Sequence, residues 1–215
     1  MKLFPILCAV CWICLGGQYA RAGEQITYDQ LSVILNLSSA AARSKELKML
    51  QHKAQQSVRD CEHCAKDWLM LGIICRELAL TEGGVTALKF ARLSRKALTQ
   101  ALRLDRHAGQ GSAMAYLGWL YHETPGWPFS FGDDEKAGKL LTQALAQAPD
   151  NALVNLAYAQ FCFDKQDFDN ARRYLDTALQ LHKSSEAPGL LNPKMTTLST
   201  KLNSRTDNEI VADRR

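Results

Sequence analysis

The sequence predicts an all-α chain of stacked antiparallel helix pairs, wound as a right-handed α-solenoid. Three observations carry this. Nearly every segment after residue 27 has helical rather than alternating apolar periodicity, with few β-branched runs. Small residues recur at helical spacing on successive segments, where two helices must approach closely. Polar or Gly/Pro-containing turns separate these segments.

The most regular unit is Asn151 to Ser184. Its first helix places Leu153, Leu156, Ala157 and Phe161 on one side, and Asp164-Lys165-Gln166-Asp167 makes a polar turn. The second helix runs from Phe168 to about Leu181, with Ala171, Leu175 and Ala178 spaced by four and three. Tyr158 and Tyr174 fill the gaps around the small residues. Upstream, Lys136 to Pro149 repeats the second helix with Ala137, Leu141 and Ala144, and Pro149 stops it. Its first helix is Ser112 to His122, where Leu117-Gly118-x-x-Tyr121 combines a close-contact glycine with an aromatic. Further back, Trp68-x-x-Leu71-Gly72-x-x-Cys75 is followed by Ser94, Leu98 and Ala101. Three units in register, from Trp68 to His182, resemble the tetratricopeptide repeat family.

The units are unequal. Ala159 and Ala171 lie 12 residues apart, Gly118 and Ala137 19, and Gly72 and Ser94 22. The added length falls in turns along one edge, where recognition often sits. Glu24 to Arg59 reads as two helices, about Tyr28–Leu37 and Ala40–Val58, which would cap the stack. The expected organisation is thus capping helices over 23–67, the repeat domain over 68–184 and a mostly flexible tail over 185–215. Within that tail, Lys194 to Leu202 reads as a short helix and the polar end as disordered.

Met1-Lys2, the uncharged run Leu3 to Gly17 and Ala20-Arg21-Ala22 have the layout of a secretory signal peptide, with cleavage expected near Ala22-Gly23. The apolar run is about 15 residues, short of the roughly 18–20 that span a bilayer. An uncleaved anchor is the alternative. Cys8, Cys11 and Cys14 are preceded by Leu7, Val10 and Ile13, which does not suit lipid attachment, so an exported, periplasmic protein without a stable membrane anchor is expected. Removing residues 1–22 takes away Lys2 and Arg21 and leaves 24 basic against 22 acidic residues. That balance and the lack of a clustered basic stretch argue against a nucleic-acid partner.

The mature part keeps Cys61, Cys64, Cys75 and Cys162. Cys61-Glu62-His63-Cys64 favours a local disulfide or thiols packed against a helix. A redox pair at a helix N-terminus and a zinc site completed by His63 or Cys75 are the sharper alternatives. Haem attachment needs a histidine where Ala65 stands. One C-x-x-C without a second pair is a weak metal signal, so no metal and no cofactor are expected. Cys75 and Cys162 read as core residues.

The middle insertion, Thr124 to Asp134, holds Pro125-Gly126 as a turn and then Trp127, Pro128, Phe129 and Phe131. Pro128 keeps Trp127 on extended backbone, and Asp133 is placed to cap the next helix. The three aromatics either fold back over the open edge of two helix pairs or line a pocket or face a partner protein. Tyr121 and His122 border the loop, and His122 has Glu123 and Asp133 nearby in sequence. A His/acid pair can move protons, yet such pairs are more often surface contacts. There is no G-x-S-x-G, H-E-x-x-H or phosphate-binding glycine loop, so no enzyme activity is expected.

The string PGWPFSFGDDEKAGKLLTQALAQAPD followed by a helix pair is similar to the TatT family, the periplasmic T component of tripartite ATP-independent transporters. The matching loop positions are Trp127, Pro128, Phe131 and Asp133. The resemblance implies a helical repeat protein that binds a solute-binding protein, self-associates as a homo-oligomer and holds a small apolar ligand. Two departures stand against that transfer: members are usually lipid-anchored, and this chain is short for the family. The residues alone imply the plainer role, a protein-interaction scaffold.

Overall fold

The computed structural model describes residues 25–184 and 188–213, so the signal-peptide reading lies outside the described residues. Among them there are nine α-helices: α1 (Tyr28–Leu35), α2 (Ala40–Asp60), α3 (Ala65–Thr81), α4 (Gly84–Leu104), α5 (Ser112–Glu123), α6 (Asp134–Gln147), α7 (Ala152–Asp164), α8 (Phe168–Leu181) and α9 (Pro188–Asp213). None of the described helices is long and apolar enough to cross a membrane. Side-chain N-caps open most of the pairs: Thr27 with Gln30 forms a capping box on α1, Ser39 caps α2, and Asp133, Asn151 and Asp167 cap α6, α7 and α8.

Helices α3/α4, α5/α6 and α7/α8 pack as antiparallel pairs, and each pair packs on the next. The glycines sit where backbones meet. A Cβ on Gly72 would come within 2.7 Å of the Leu98 side chain, and the Gly72 carbonyl accepts a bond from Ser94 Oγ at 2.7 Å. A Cβ on Gly118 would come within 2.8 Å of Leu141. In the third pair Tyr158 and Tyr174 meet edge to face, with ring centroids 4.7 Å apart.

The second helices α4, α6 and α8 bury one stripe and expose the other side, for example Ala171, Leu175 and Ala178 of α8. The first helices do not. In α3 every residue from Leu69 to Leu78 is buried, and α7 buries Ala152 through Ala157 as well as Ala159 and Cys162. A helix that is apolar all round needs cover on both sides. The second helices supply one side; from the other, α2 packs on α3, α5 packs on α7, and α9 adds its cover to α7.

This differs from the flexible tail expected over 185–215. Helix α9 buries Leu190, Leu191, Met195, Leu198 and Leu202, a stripe at helical spacing that the polar residues between them mask in linear reading. It packs on α1, α7 and α8. Its start lies against α1, where a Cβ on Gly189 would meet Ser32 at 2.8 Å. Lys194 then reaches Glu77 of α3 at 3.1 Å and the Trp119 ring of α5 at 5.6 Å, and Lys201 lies over Phe163 of α7. The body of α9 thus packs on the third pair and α1, and its Lys194 side chain reaches the first two pairs.

Leu198 is fully buried in this seam, so Leu198→Ala should cost about 2–4 kcal/mol. The exposed neighbour Thr197→Ala should stay within about 0.5 kcal/mol. Urea unfolding followed by circular dichroism measures both; equal stabilities would show that α9 does not pack as described.

Candidate functional site

The aromatic loop between α5 and α6 is pinned at both ends. Gly132 N donates to the Pro125 carbonyl at 2.9 Å, and Asp133 N to the Tyr121 carbonyl at 3.0 Å. Gly126 and Gly132 form an isolated bridge. A Cβ on Gly132 would overlap the Thr124 carbonyl oxygen at 1.7 Å, so only glycine closes the loop there. Inside it, Phe129 N and Ser130 N both donate to the Gly126 carbonyl, at 3.0 and 3.1 Å. The Trp127–Pro128 peptide is cis.

This frame divides the loop's residues into two groups. Phe131 turns inward, edge to face with the buried Tyr121 at 5.5 Å, and the Arg95 guanidinium of α4 stacks on its ring at 4.2 Å. Asp133 accepts a bond from Lys136 N at 2.9 Å as the N-cap of α6, and Lys136 Nζ lies over Tyr121 at 4.3 Å. Trp127 and Phe129 point the other way and are 90% and 74% exposed, with Pro128 exposed between them. Of the three aromatics, only Phe131 folds back over the edge of the helix pairs, while Trp127 and Phe129 face solvent.

His122 is paired, but with neither Glu123 nor Asp133. Its Nδ1 lies 2.6 Å from Asp134 Oδ1 and its Nε2 3.2 Å from Asp164 Oδ2, which ties α5 to α6 and α7. The ring meets Phe161 edge to face at 5.2 Å, and Lys165 completes the cluster on Asp134. Two carboxylates on two ring nitrogens favour the imidazolium, in which both nitrogens donate. The ring's pKa is raised, chiefly by the bond to Asp164, with Asp134 adding to it and burial opposing it. Asp134 is held low by Lys165 and then His122. For Asp164 burial pushes upward, but the bonds from His122 and Gln160 outweigh it. Both nitrogens are occupied within the fold, so the geometry suits a strut rather than proton transfer.

Glu123 instead belongs to a network under α9 that the sequence reading did not identify. Arg76, 1% exposed, donates to Glu77 at 2.7 Å and to Glu123 at 2.5 Å, and stacks over Trp119 at 4.6 Å. Glu77 also receives Lys194, so the network reads the register of α9. Burial opposes the charge on Glu77, but Lys194 and Arg76 hold its carboxyl below the usual range. The signal was an Arg-Glu pair inside an otherwise apolar stretch of α3.

Cys61 and Cys64 are joined by a disulfide across the turn from α2 to α3, with Cα atoms 5.4 Å apart. Cys75 and Cys162 are buried thiols, pushed up to about 12 and about 11 by burial. Among the described residues, no three His, Cys, Asp or Glu side chains are grouped to hold a metal.

The sign of the His122 contribution follows from its raised pKa. A group whose folded value exceeds its unfolded one, about 6.5 for histidine, stabilises fully below the unfolded value and loses that effect as pH rises through the folded value. Asp134 and Asp164, both held below the usual carboxylate range, are charged throughout the pH range in which His122 titrates. The difference in thermal midpoint between wild type and His122→Gln should therefore be largest at about pH 5–6 and shrink above it. A difference that grows with pH would contradict the strut.

Comparison with curated proteins gives no match. The tetratricopeptide repeat family matches residues 129–191, from the end of the aromatic loop through α6, α7 and α8 to the start of α9. Such repeats generally mediate protein–protein contacts and are typically not catalytic. The match covers the most regular of the helix pairs described above, and over residues 129–191 the chain is similar to tetratricopeptide repeats.

Proposed function

We propose that this protein is an exported, non-catalytic interaction scaffold that presents Trp127 and Phe129 to a partner protein. The observation that carries the reading is the division of the loop. Two large aromatics are held almost fully in solvent by a backbone that is bonded at both ends and anchored by Phe131. Exposed aromatics on a preformed frame lose little entropy on binding and are the usual anchors of protein interfaces. Export rests on the charge and apolar pattern of residues 1–22.

A second, narrower reading is an accessory role in a tripartite ATP-independent transporter, with a solute-binding protein as the partner and a small apolar ligand as cargo. The observation that favours it is the displayed Pro125-Gly126-Trp127-Pro128 turn, the same string that carries the resemblance to the TatT family. Under this reading self-association would place several such loops around one assembly.

Affinity capture from the protein's own extracytoplasmic fraction, with wild type against Trp127→Ala/Phe129→Ala, tests both. The variant should fold with unchanged stability, within about 0.5 kcal/mol, because both rings are exposed. It should lose the proteins that wild type recovers. Recovery of the same proteins by both chains would rule out the loop as the contact. A solute-binding protein among those lost selects the narrower reading.

A further inference from the structure

We infer that the outward face of α4 is a docking groove for an acidic amphipathic segment of a partner protein. The inference rests on the scaffold reading above but uses a different surface. Helix α4 carries Lys89, Arg92, Arg95, Lys96 and Arg103 and no Asp or Glu. The whole chain has 26 basic and 22 acidic residues, so an unmixed helix of this length is a local arrangement, not a reflection of composition. In linear sequence these residues form no block. Helical spacing of three, four and seven brings Lys89, Arg92, Lys96 and Arg103 onto one face.

These four side chains are exposed, and among the described residues none of them enters an ion pair. Elsewhere several cations are paired: Lys48 with Glu82, Lys139 with Glu135, Lys165 with Asp134 and Lys194 with Glu77. Like charges at this spacing repel along the helix. An acidic partner would relieve that repulsion.

The face is both cationic and partly apolar, and this pairing selects the partner. One shallow cleft of about 470 Å³ lies between Trp68 of α3 and the α4 residues Arg92, Arg95, Lys96 and Arg103. A second shallow one, about 360 Å³, is lined by Val85, Leu88, Lys89 and Leu93, and it shares Arg92 and Lys96 with the first. Together they make a shallow groove along α4 in which apolar side chains lie beside cations. Val85 at its N-terminal end is 84% exposed. A nucleic-acid backbone has no apolar side chains for Val85, Leu88 and Leu93. A segment with carboxylates on one side and leucine-like residues on the other matches both the cations and the apolar positions; arginine forks pair with carboxylates and with phosphates, so the test includes both. Arg95, stacked on Phe131, joins this groove to the base of the aromatic loop, so one partner can engage both.

The test uses the full chain and a fluorescein-labelled dodecapeptide of Glu and Leu with its leucines on one helical face, its Gln-for-Glu counterpart, a single-stranded oligonucleotide of the same length, and vesicles of phosphatidylglycerol in phosphatidylcholine. Fluorescence anisotropy should show binding of the acidic peptide that weakens with added salt. Arg92→Glu/Lys96→Glu should weaken it by about tenfold or more. Lys89→Ala/Arg103→Ala, which adds no new charge, should weaken it in the same direction and guards against misfolding of the reversal. Equal binding of the Gln peptide, unchanged binding by both variants, or tighter binding of the oligonucleotide or the vesicles would overturn the inference. The Trp127→Ala/Phe129→Ala chain separates the readings. It should bind the acidic peptide as wild type does even if it loses its captured partners. Loss of captured partners with the loop variant, alongside unaltered peptide binding by the α4 variants, would defeat the groove and leave the loop reading standing.

Discussion

The structure depends on one constraint: its first helices have no polar face. From Leu69 to Leu78, α3 is buried without a break, and α5 and α7 are nearly as enclosed. Each such helix must be covered from two sides, because exposing either would leave several large apolar side chains in water at about 1.5–3 kcal/mol each. Helices α4, α6 and α8 cover one side, with Gly72 and Gly118 letting the backbones close up. On the other, α2 covers α3, α5 and α7 cover one another, and α9 closes over α7. The charges that accompany α9 are arranged to match, since Lys194 meets the buried Glu77 and lies over Trp119. A buried ion network is weak evidence for stability, but breaking one member leaves an unpaired charge, so it specifies where α9 sits.

This self-coverage moves recognition outward. The first helices are covered within the chain, α3 by α2 and α7 by α9, so the surfaces with unmatched chemistry are the edge loop and the α4 face. Both arise from the uneven lengths of the pairs. The first pair is longer than the second at the turn edge, and the inserted loop of the second pair packs beside it, with Phe131 under Arg95. The insertion thus does two jobs: its inward residues complete the edge, and its outward residues make it adhesive. His122 holds the same edge from below by linking α5 to the start of α6 and the end of α7.

Much of this was legible in the sequence. Small residues at fixed spacing marked the helix pairs, and Gly72, Gly118 and Ala171 lie at the contacts that such spacing requires. The caps at Asp133 and Asn151 follow from local chemistry alone. What was not legible depends on three-dimensional neighbours. Nothing local distinguishes Phe131 from Phe129, which is two residues away; only Tyr121 and Arg95 decide which ring is buried. The acids on His122 come from 12 and 42 residues along the chain rather than from its neighbours. The α9 stripe was diluted by polar residues and by Pro193. Yet the enclosed character of Ala152 to Ala157 in α7 already demanded a second cover, and counting uncovered apolar faces would have pointed to α9.

The central claim is that enclosed first helices are covered from two sides within the chain, α9 closing over the third pair, and that this leaves the loop and α4 as outward surfaces. Amide hydrogen exchange read by mass spectrometry, on the full chain and on a chain ending at Ser184, tests it most directly. The account predicts that protection falls in α1, α7 and α8 when α9 is removed, while α4 changes little. Unchanged protection in α7 and α8 would contradict it.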